Sequence, residues 1–491
     1  MMPSSHHDAV SPATPKKTFF GQPRALANVF GVEMWERFSF YGMQGILAIY
    51  LYYSVVDGGL GIDQSVALGI VGAYGGAVYL STIVGAWVAD RLFGAERVLF
   101  GSAIVIVAGH LALALIPGVP GVAVGLILVA LGSGGLKATA TAVVGTLYAS
   151  DDTRRDAGFS LFYLGINLGS FFGPLLTGLL QSRVGFHWGF ALAALGMVAG
   201  LVQYSFGRSK LPEAARVVSN PLPKSKYPVV GGIVAVAIAA IAALVLGGII
   251  RADNLDLVVI VVVIAATLAY FTLITTSAKV TRDERSRVFG FIPLFIASVA
   301  FWSLYQQQFT VLVLYSDVRL NRSLFGWEMP VSWVNSINPV FIILLAGAAA
   351  ALWTKMGARQ PSTPVKFALG TALVGVAFLL FLPVANGAAH STPLLWLVLI
   401  LLVFTIAELL LSPVGLSVTT KLAPAAFHTQ MIALFYLSIS LGTAVAGALA
   451  RFYDPTNEVP YFLFLGCVAI GIGVLLLISA RPVLRLMKGV R

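Results

Sequence analysis

Apolar runs of about twenty residues recur along the whole chain, which is the length a helix needs to cross a bilayer. Fourteen such runs are separated by turn or charge clusters, near residues 26–54, 66–90, 97–117, 120–148, 157–182, 187–207, 228–250, 256–278, 289–315, 332–354, 365–385, 393–420, 428–451 and 460–481. In lipid every backbone N–H and C=O must be bonded within the protein, so runs of this kind are expected as helices. An even number of spans puts both termini on one side. Of the 31 Lys and Arg residues, 24 fall on the N-terminus, the even-numbered loops and the C-terminal tail. Five, Arg183, Arg251, Arg319, Arg322 and Arg451, fall on the opposite loops, while Arg37 and Lys137 stay inside spans. Basic residues mark the cytoplasmic side, so both termini are expected there.

Composition supports a polytopic membrane protein. The 491 residues are 58% hydrophobic and 10% charged, with a mean hydropathy of +0.91, too apolar for a soluble globular domain. The net charge of +11 is spread among short inter-helix segments, which argues against nucleic acid as a partner. One cysteine, Cys467, and six scattered histidines form neither a disulfide framework nor a metal site, and no cofactor is expected. Residues 1–18 are polar and lack an apolar core followed by a cleavage site, so no cleavable signal peptide is expected. The expected partition is a cytoplasmic segment 1–25, a six-helix bundle 26–207, a cytoplasmic linker 208–227, a two-helix insert 228–278, a second linker 279–288, a second six-helix bundle 289–481 and a cytoplasmic tail 482–491. Two six-helix blocks around a central site form a known transporter architecture. The insert carries almost no polar side chains and is expected to pack outside the core. In the fifth span Gly165, Gly169 and Gly173 recur every four residues, a small face suited to close helix packing.

Charges inside the spans carry the functional reading. A Glu, Lys or Arg near mid-membrane costs roughly 3 kcal/mol on insertion scales, so it usually faces a water-filled cavity and marks a substrate or proton path. Glu33, Glu36 and Arg37 lie in the first span at spacings that put both carboxylates beside the guanidinium, and Tyr41 and Gln44 continue the polar stripe. Lys137 sits in the glycine-rich GSGGLKATAT of the fourth span. Leaving out the insert, Glu408 falls in the tenth span, and Asn167 and Asn338 fall in the fifth and eighth. Burial without a partner makes the neutral form of an ionisable group accessible, as a proton-coupled machine requires. A tie between Lys137 and Glu408, released by protonation of Glu408, is expected to hold the halves together on one side. A ligand with a carboxylate and an ammonium fits this set. Arg37 and Lys137 would face its negative end and Glu408, Asn167 and Asn338 its positive end, between walls made by Tyr41, Tyr79, Trp302 and Phe435.

The loop GAWVADRLFGAER matches the spacing that the major facilitator superfamily carries between its second and third spans, with Gly85, Asp90, Arg91, Gly94 and Arg97 in register. Asp90 and Arg91 are expected to pair with neighbouring helix ends and close the cytoplasmic side. The first span, GVEMWERFSFYGMQGILAIYL, resembles that of the proton-dependent oligopeptide transporter family, marked by Glu-x-x-Glu-Arg and aromatics. GSGGLKA, RRDAGFSLFYLGINLGSFFGP, FWSLYQQQ and AELLLSPVGLSVTTKLAP are also similar to that family, so the resemblance spans nearly the whole chain.

The resemblance implies an all-α membrane protein of major facilitator fold, with twelve core helices in two bundles plus a two-helix insert, fourteen in total. It implies inward symport of di- and tripeptides with protons by alternating access. Glu33, Glu36 and Arg37 would be the proton-linked trio, Lys137 and Glu408 the charged pair of the cavity, and Tyr41, Tyr79, Asn167, Asn338 and Ser412 peptide contacts. Phe40 replaces a second aromatic hydroxyl of many members, Gln44 an arginine, Gln306 a glutamate and Phe435 a tryptophan. In the family that arginine and glutamate form a gate pair; a neutral Gln44 and Gln306 contact at the same places would strand no buried charge. The chain is therefore expected to be a proton-coupled peptide symporter of a bacterial inner membrane, functional as a monomer in the bilayer. The alternatives are a same-fold transporter of another small anion or zwitterion and a ligand sensor that does not transport. An enzyme is not expected, since neither His-x-x-Glu-His nor Gly-x-Ser-x-Gly occurs in a convincing context.

Overall fold

The computed structural model describes residues 18–149 and 152–490; most of the expected N-terminal segment and residue 491 of the tail lie outside them. Sixteen α-helices run through the described residues: α1 (Arg24–Tyr52), α2 (Gln64–Val88), α3 (Ala95–Leu115), α4 (Gly118–Gly145), α5 (Arg155–Val184), α6 (Phe186–Gly207), α7 (Tyr227–Leu246), α8 (Leu255–Thr276), α9 (Arg282–Tyr305), α10 (Val311–Val318), α11 (Ile337–Met356), α12 (Thr363–Leu379), α13 (Leu394–Leu422), α14 (His428–Ala450), α15 (Val459–Ile478) and α16 (Ala480–Leu486). Among the described residues thirteen helical segments are long and apolar enough to cross a membrane. At 29 residues α1 is long enough as well, and it differs in carrying Arg24, Glu33, Glu36 and Arg37. α9 and α10 form one crossing, Arg282–Val318, broken by a tight turn at Gln306–Phe309.

α1 packs against α5 and α6, α3 against α4, and α2 against α4. In the other half α12 packs against α13 and α15, and α14 against α9. Glycines set the closest approaches. On α5, a Cβ at Gly169 would stand 2.8 Å from the Arg37 Cβ, so only glycine lets α1 lie near enough to fix that arginine. Between the halves α2 runs along α14, where a Cβ on Gly447 would stand 2.7 Å from the Gly72 Cα.

α7 has no buried residue, whereas α8 packs against α2 and α14. The Arg451 guanidinium reaches Asp256 at 2.5 Å, so a fully buried acid of α8 is held by the end of α14. Two boundaries need correction. Residues 279–288, expected as a linker, are helix from Arg282, because Thr281 and Glu284 form a capping box: the Thr281 amide donates to Glu284 Oε2 at 2.9 Å and the Glu284 amide to Thr281 Oγ1 at 3.3 Å. The expected tail 482–491 begins inside α16, which packs on α9.

Candidate functional site

A cavity of about 350 Å³ lies between the halves. Arg37 and Tyr41 on α1, Tyr79 on α2, Lys137 on α4, Asn167 on α5, Trp302 and Gln306 at the end of α9, Asn338 on α11, Glu408 and Ser412 on α13 and Phe435 on α14 all line it. Glu33 lines it too, while Glu36 is fully buried behind it. Glu33 is bonded to Arg37, with Nε donating to Oε1 at 2.8 Å. Glu36 Oε2 lies 3.2 Å from Arg37 Nη1, and its Oε1 lies 3.6 Å from Lys137 Nζ. The lysine also stands 4.3 Å from the centroid of the Phe40 ring.

Lys137 is therefore not tied to Glu408, contrary to expectation. Its acid is Glu36 in the same half, because a buried ammonium takes the nearest carboxylate and that one sits on the adjoining helix. Glu408 instead accepts from the Tyr305 hydroxyl at 2.5 Å, and the same hydroxyl lies 3.2 Å from Asn338 Oδ1. Asn338 Nδ2 donates to Thr405 Oγ1 at 2.9 Å. Among the described residues no cluster of three or more His, Cys, Asp or Glu side chains is placed to hold a metal ion.

Gln44 does not reach the cavity. It lies on the Arg37–Tyr41 face but a turn nearer the end where α2 and α14 close, with Nε2 4.0 Å from where a Cβ on Gly75 would stand. Its Oε1 is buried without a partner, and among the described residues no hydrogen bond joins it to Gln306.

The cavity is sealed at the end away from the 208–227 linker. There the Tyr52 and Tyr53 hydroxyls donate to Asp317 of α10 at 3.0 and 2.8 Å. Ser332, Trp333 and Ser336 donate to the carbonyls of Pro174, Leu175 and Phe171 of α5 at 3.0, 3.0 and 2.8 Å. At the linker end it is open, since a passage lined by Asp90, Arg91, Asn220 and Gln430 shares Lys137, Thr141 and Tyr436 with it.

The loop motif at that opening behaves differently from expectation. Among the described residues neither Asp90 nor Arg91 is in an ion pair; their backbone carbonyls accept from the Asn220 and Leu222 amides, each at 2.9 Å. Gly85 packs onto Gly135 of α4, Gly94 takes a φ of +83°, and Arg97 is exposed. The acid that holds the linker is Glu96, fully buried, with Arg208 Nε at 2.7 Å and Arg216 Nε at 3.5 Å. Closure by Asp90 and Arg91 is absent because this end is open and Glu96, not Asp90, points into the bundle.

A family model described as the POT family matches residues 96–464. The chain belongs to the POT family. It is 43% identical to the di-/tripeptide transporter of Lactococcus lactis subsp. cremoris, over 97% of this chain and 99% of that one. It is 42% identical to the uncharacterized transporter YclF of Bacillus subtilis (strain 168), over the full length of both. A crystal structure of a peptide transporter POT in complex with sulfate superposes with a TM-score of 0.92 at 43% identity, covering 97% of this chain and 98% of that one. A POT family transporter in complex with 5-aminolevulinic acid gives 0.89 at 38% identity, covering 96% and 98%.

The architecture of this POT family member is the major facilitator fold with twelve core helices and a two-helix insert, and its family is made up of transporters, not enzymes. Sequence reasoning missed Tyr305 although FWSLYQQQ contains it, because an aromatic in an apolar run does not announce a hydroxyl bonded to an acid on another helix. Tyr163, Asn335 and Tyr436 also line the cavity unannounced.

Proposed function

We propose that this POT family member imports di- and tripeptides together with protons across the bacterial plasma membrane, as a monomer with both termini in the cytoplasm. The observation that carries this reading is one cavity in which Arg37 and Lys137 stand on one half and Glu408 on the other. A peptide carboxylate binds Arg37 and Lys137, its ammonium binds Glu408 beside Asn167 and Asn338, and Tyr41, Tyr79, Trp302 and Phe435 form the walls. Glu33 and Glu36 hold those same cations in the structure, so an incoming carboxylate competes with them. A proton on the displaced acid keeps the cluster neutral, which couples proton to peptide. The glycine seam of α2 and α14 and the α5 contacts close one end while the linker end is open, one of the two states that alternating access requires. Each inward proton adds about 2.3 kcal/mol per 100 mV of membrane potential.

Uptake of labelled dialanine into proteoliposomes is expected to be concentrative with an inward pH gradient and to collapse without it. Uptake that ignores the gradient overturns symport, and binding without accumulation favours a sensor. A second reading, a different small amino-carboxylate as substrate, is favoured by the structural relative in complex with 5-aminolevulinic acid. Competition separates the two: under the peptide reading dialanine displaces 5-aminolevulinic acid at lower concentration than the reverse.

A further inference from the structure

A second cavity, of about 750 Å³, lies at the linker end of the C-terminal half, where α12 begins and α13 finishes, and shares no residue with the peptide cavity. Lys366, on the first turn of α12, is only 8% exposed, and Lys421, on the last turn of α13, is the charged group that faces it. Among the described residues no Asp or Glu lines this space. Among the described residues the lysines found in ion pairs are Lys137 and Lys488, not these two. The direct contacts of Lys366 Nζ are neutral: it donates to Gln360 Oε1 at 2.8 Å and stands 4.3 Å from the Trp353 ring centroid.

Its place on the helix sharpens the point. The N-terminal turn of a helix carries positive partial charge, so a buried cation there is repelled by its own helix. The cap residue Ser362 makes no capping hydrogen bond, which leaves first-turn amides of α12 without a side-chain acceptor. The start of α12 and the buried Lys366 thus meet the exposed Lys421 in a space where, among the described residues, no acid stands, an arrangement that an anion would relieve. The hydroxyls of Ser362, Thr363 and Ser417 line the same space as further donors.

The surroundings decide which anion. At Pro413 and Val414 the basic cavity meets a mostly apolar groove of about 830 Å³, lined by α5, α11 and α13 and passing Ile343, Ala346 and Leu409, which shares Tyr163, Asn167, Ile342 and Ser412 with the peptide cavity. The cavity sits at the level of helix termini, where lipid headgroups lie, and the groove sits at the level of the apolar helix bodies. We propose that this is a binding site for an anionic phospholipid, with its phosphate on Lys366 and Lys421 and an acyl chain in the groove along α11 and α13. Basic pockets between membrane helices on the cytoplasmic side take such headgroups. A free phosphate would use the same donors but leave the groove unfilled. The phosphate end of this site shares no residue with the peptide cavity, while its groove borders that cavity.

The test uses the full chain in neutral detergent, titrated with phosphatidylglycerol and followed by native mass spectrometry, beside phosphatidylcholine of the same acyl chains. Wild type is expected to prefer phosphatidylglycerol, with affinity falling roughly five-fold in Lys366→Gln or Lys421→Gln and roughly twenty-five-fold in the double variant. Lys355→Gln, which removes an exposed lysine of the α11 last turn outside the cavity, is expected to bind as wild type. A large excess of inorganic phosphate is expected to leave the bound lipid in place. Equal binding of the two lipids by wild type, full binding by the double variant, an equal loss in Lys355→Gln, or displacement by phosphate would each overturn the proposal. The melting temperature of each variant without added ligand identifies any that fails to fold, and the wild-type comparison of the two lipids stands without the variants.

Discussion

On the α1–α4 wall of the cavity Glu33 and Glu36 share Arg37 and Lys137 within 3.6 Å, whereas on the facing wall Glu408 has the Tyr305 hydroxyl at 2.5 Å and, among the described residues, no ion pair. The first wall holds two acids and two bases and balances its own charge. The second holds one acid satisfied by neutral groups. Burial allows both solutions, since a buried charge needs either an opposite charge or strong hydrogen bonds. They differ in what can enter. A second anion can join the first wall only by displacing an acid or bringing a proton, while a cation can join the second wall directly. Under the proposed reading that difference separates coupling from recognition.

The largest effect is expected from Glu36→Gln. It removes the acid shared by Arg37 and Lys137 and leaves an uncompensated cation, which costs about 3–5 kcal/mol where a buried pair is broken. Proton-driven uptake of dialanine is expected to vanish while counterflow exchange survives; driven uptake at the wild-type rate would break the comparison. Glu408→Gln comes next. With the acid of the second wall gone, dialanine affinity is expected to fall roughly ten- to a hundred-fold, the worth of one charge-assisted hydrogen bond. Driven uptake should be lost with it, and calorimetry with N-acetyl-dialanine sharpens the point, since a peptide without an ammonium should not sense the change. Phe40→Leu removes the ring beneath Lys137. A cation–π contact is worth about 0.5–2 kcal/mol, so a drop of a few-fold in peptide affinity is expected, with gradient dependence retained. Gln44→Leu should do least. Its Oε1 is buried without a partner, so an apolar replacement is expected to change the melting temperature and uptake by little, and a large loss of uptake would return Gln44 to the transport path.

Much of this site was legible in the chain, for a reason specific to membranes. Arg37, Lys137 and Glu408 are conspicuous because lipid rejects them, and each lines the cavity. Tyr41, Tyr79, Asn167, Asn338, Trp302, Gln306, Ser412 and Phe435 line it as well, read from the polar stripes or from the family resemblance. Gln44 was misplaced because helical periodicity gives the face of a residue but not the depth at which a neighbouring helix closes over it. Lys137 was assigned the wrong acid because partner choice depends on interhelical distance. The role of Glu96 was hidden because one buried acid among arginine-rich loops looks like any surface charge until Arg208 and Arg216 fold back onto it.

By itself the sequence determined the number of spans and which side chains could not face lipid. Both follow from a solvent that fixes helix length and penalises charge regardless of the rest of the fold. Tertiary structure alone decided that Glu36 rather than Glu408 holds Lys137, that Gln44 lies in the sealed end, and that Glu96 holds the linker. Those outcomes depend on contacts a few ångströms long between helices far apart in sequence, set by where glycines such as Gly169 and Gly72 let backbones approach.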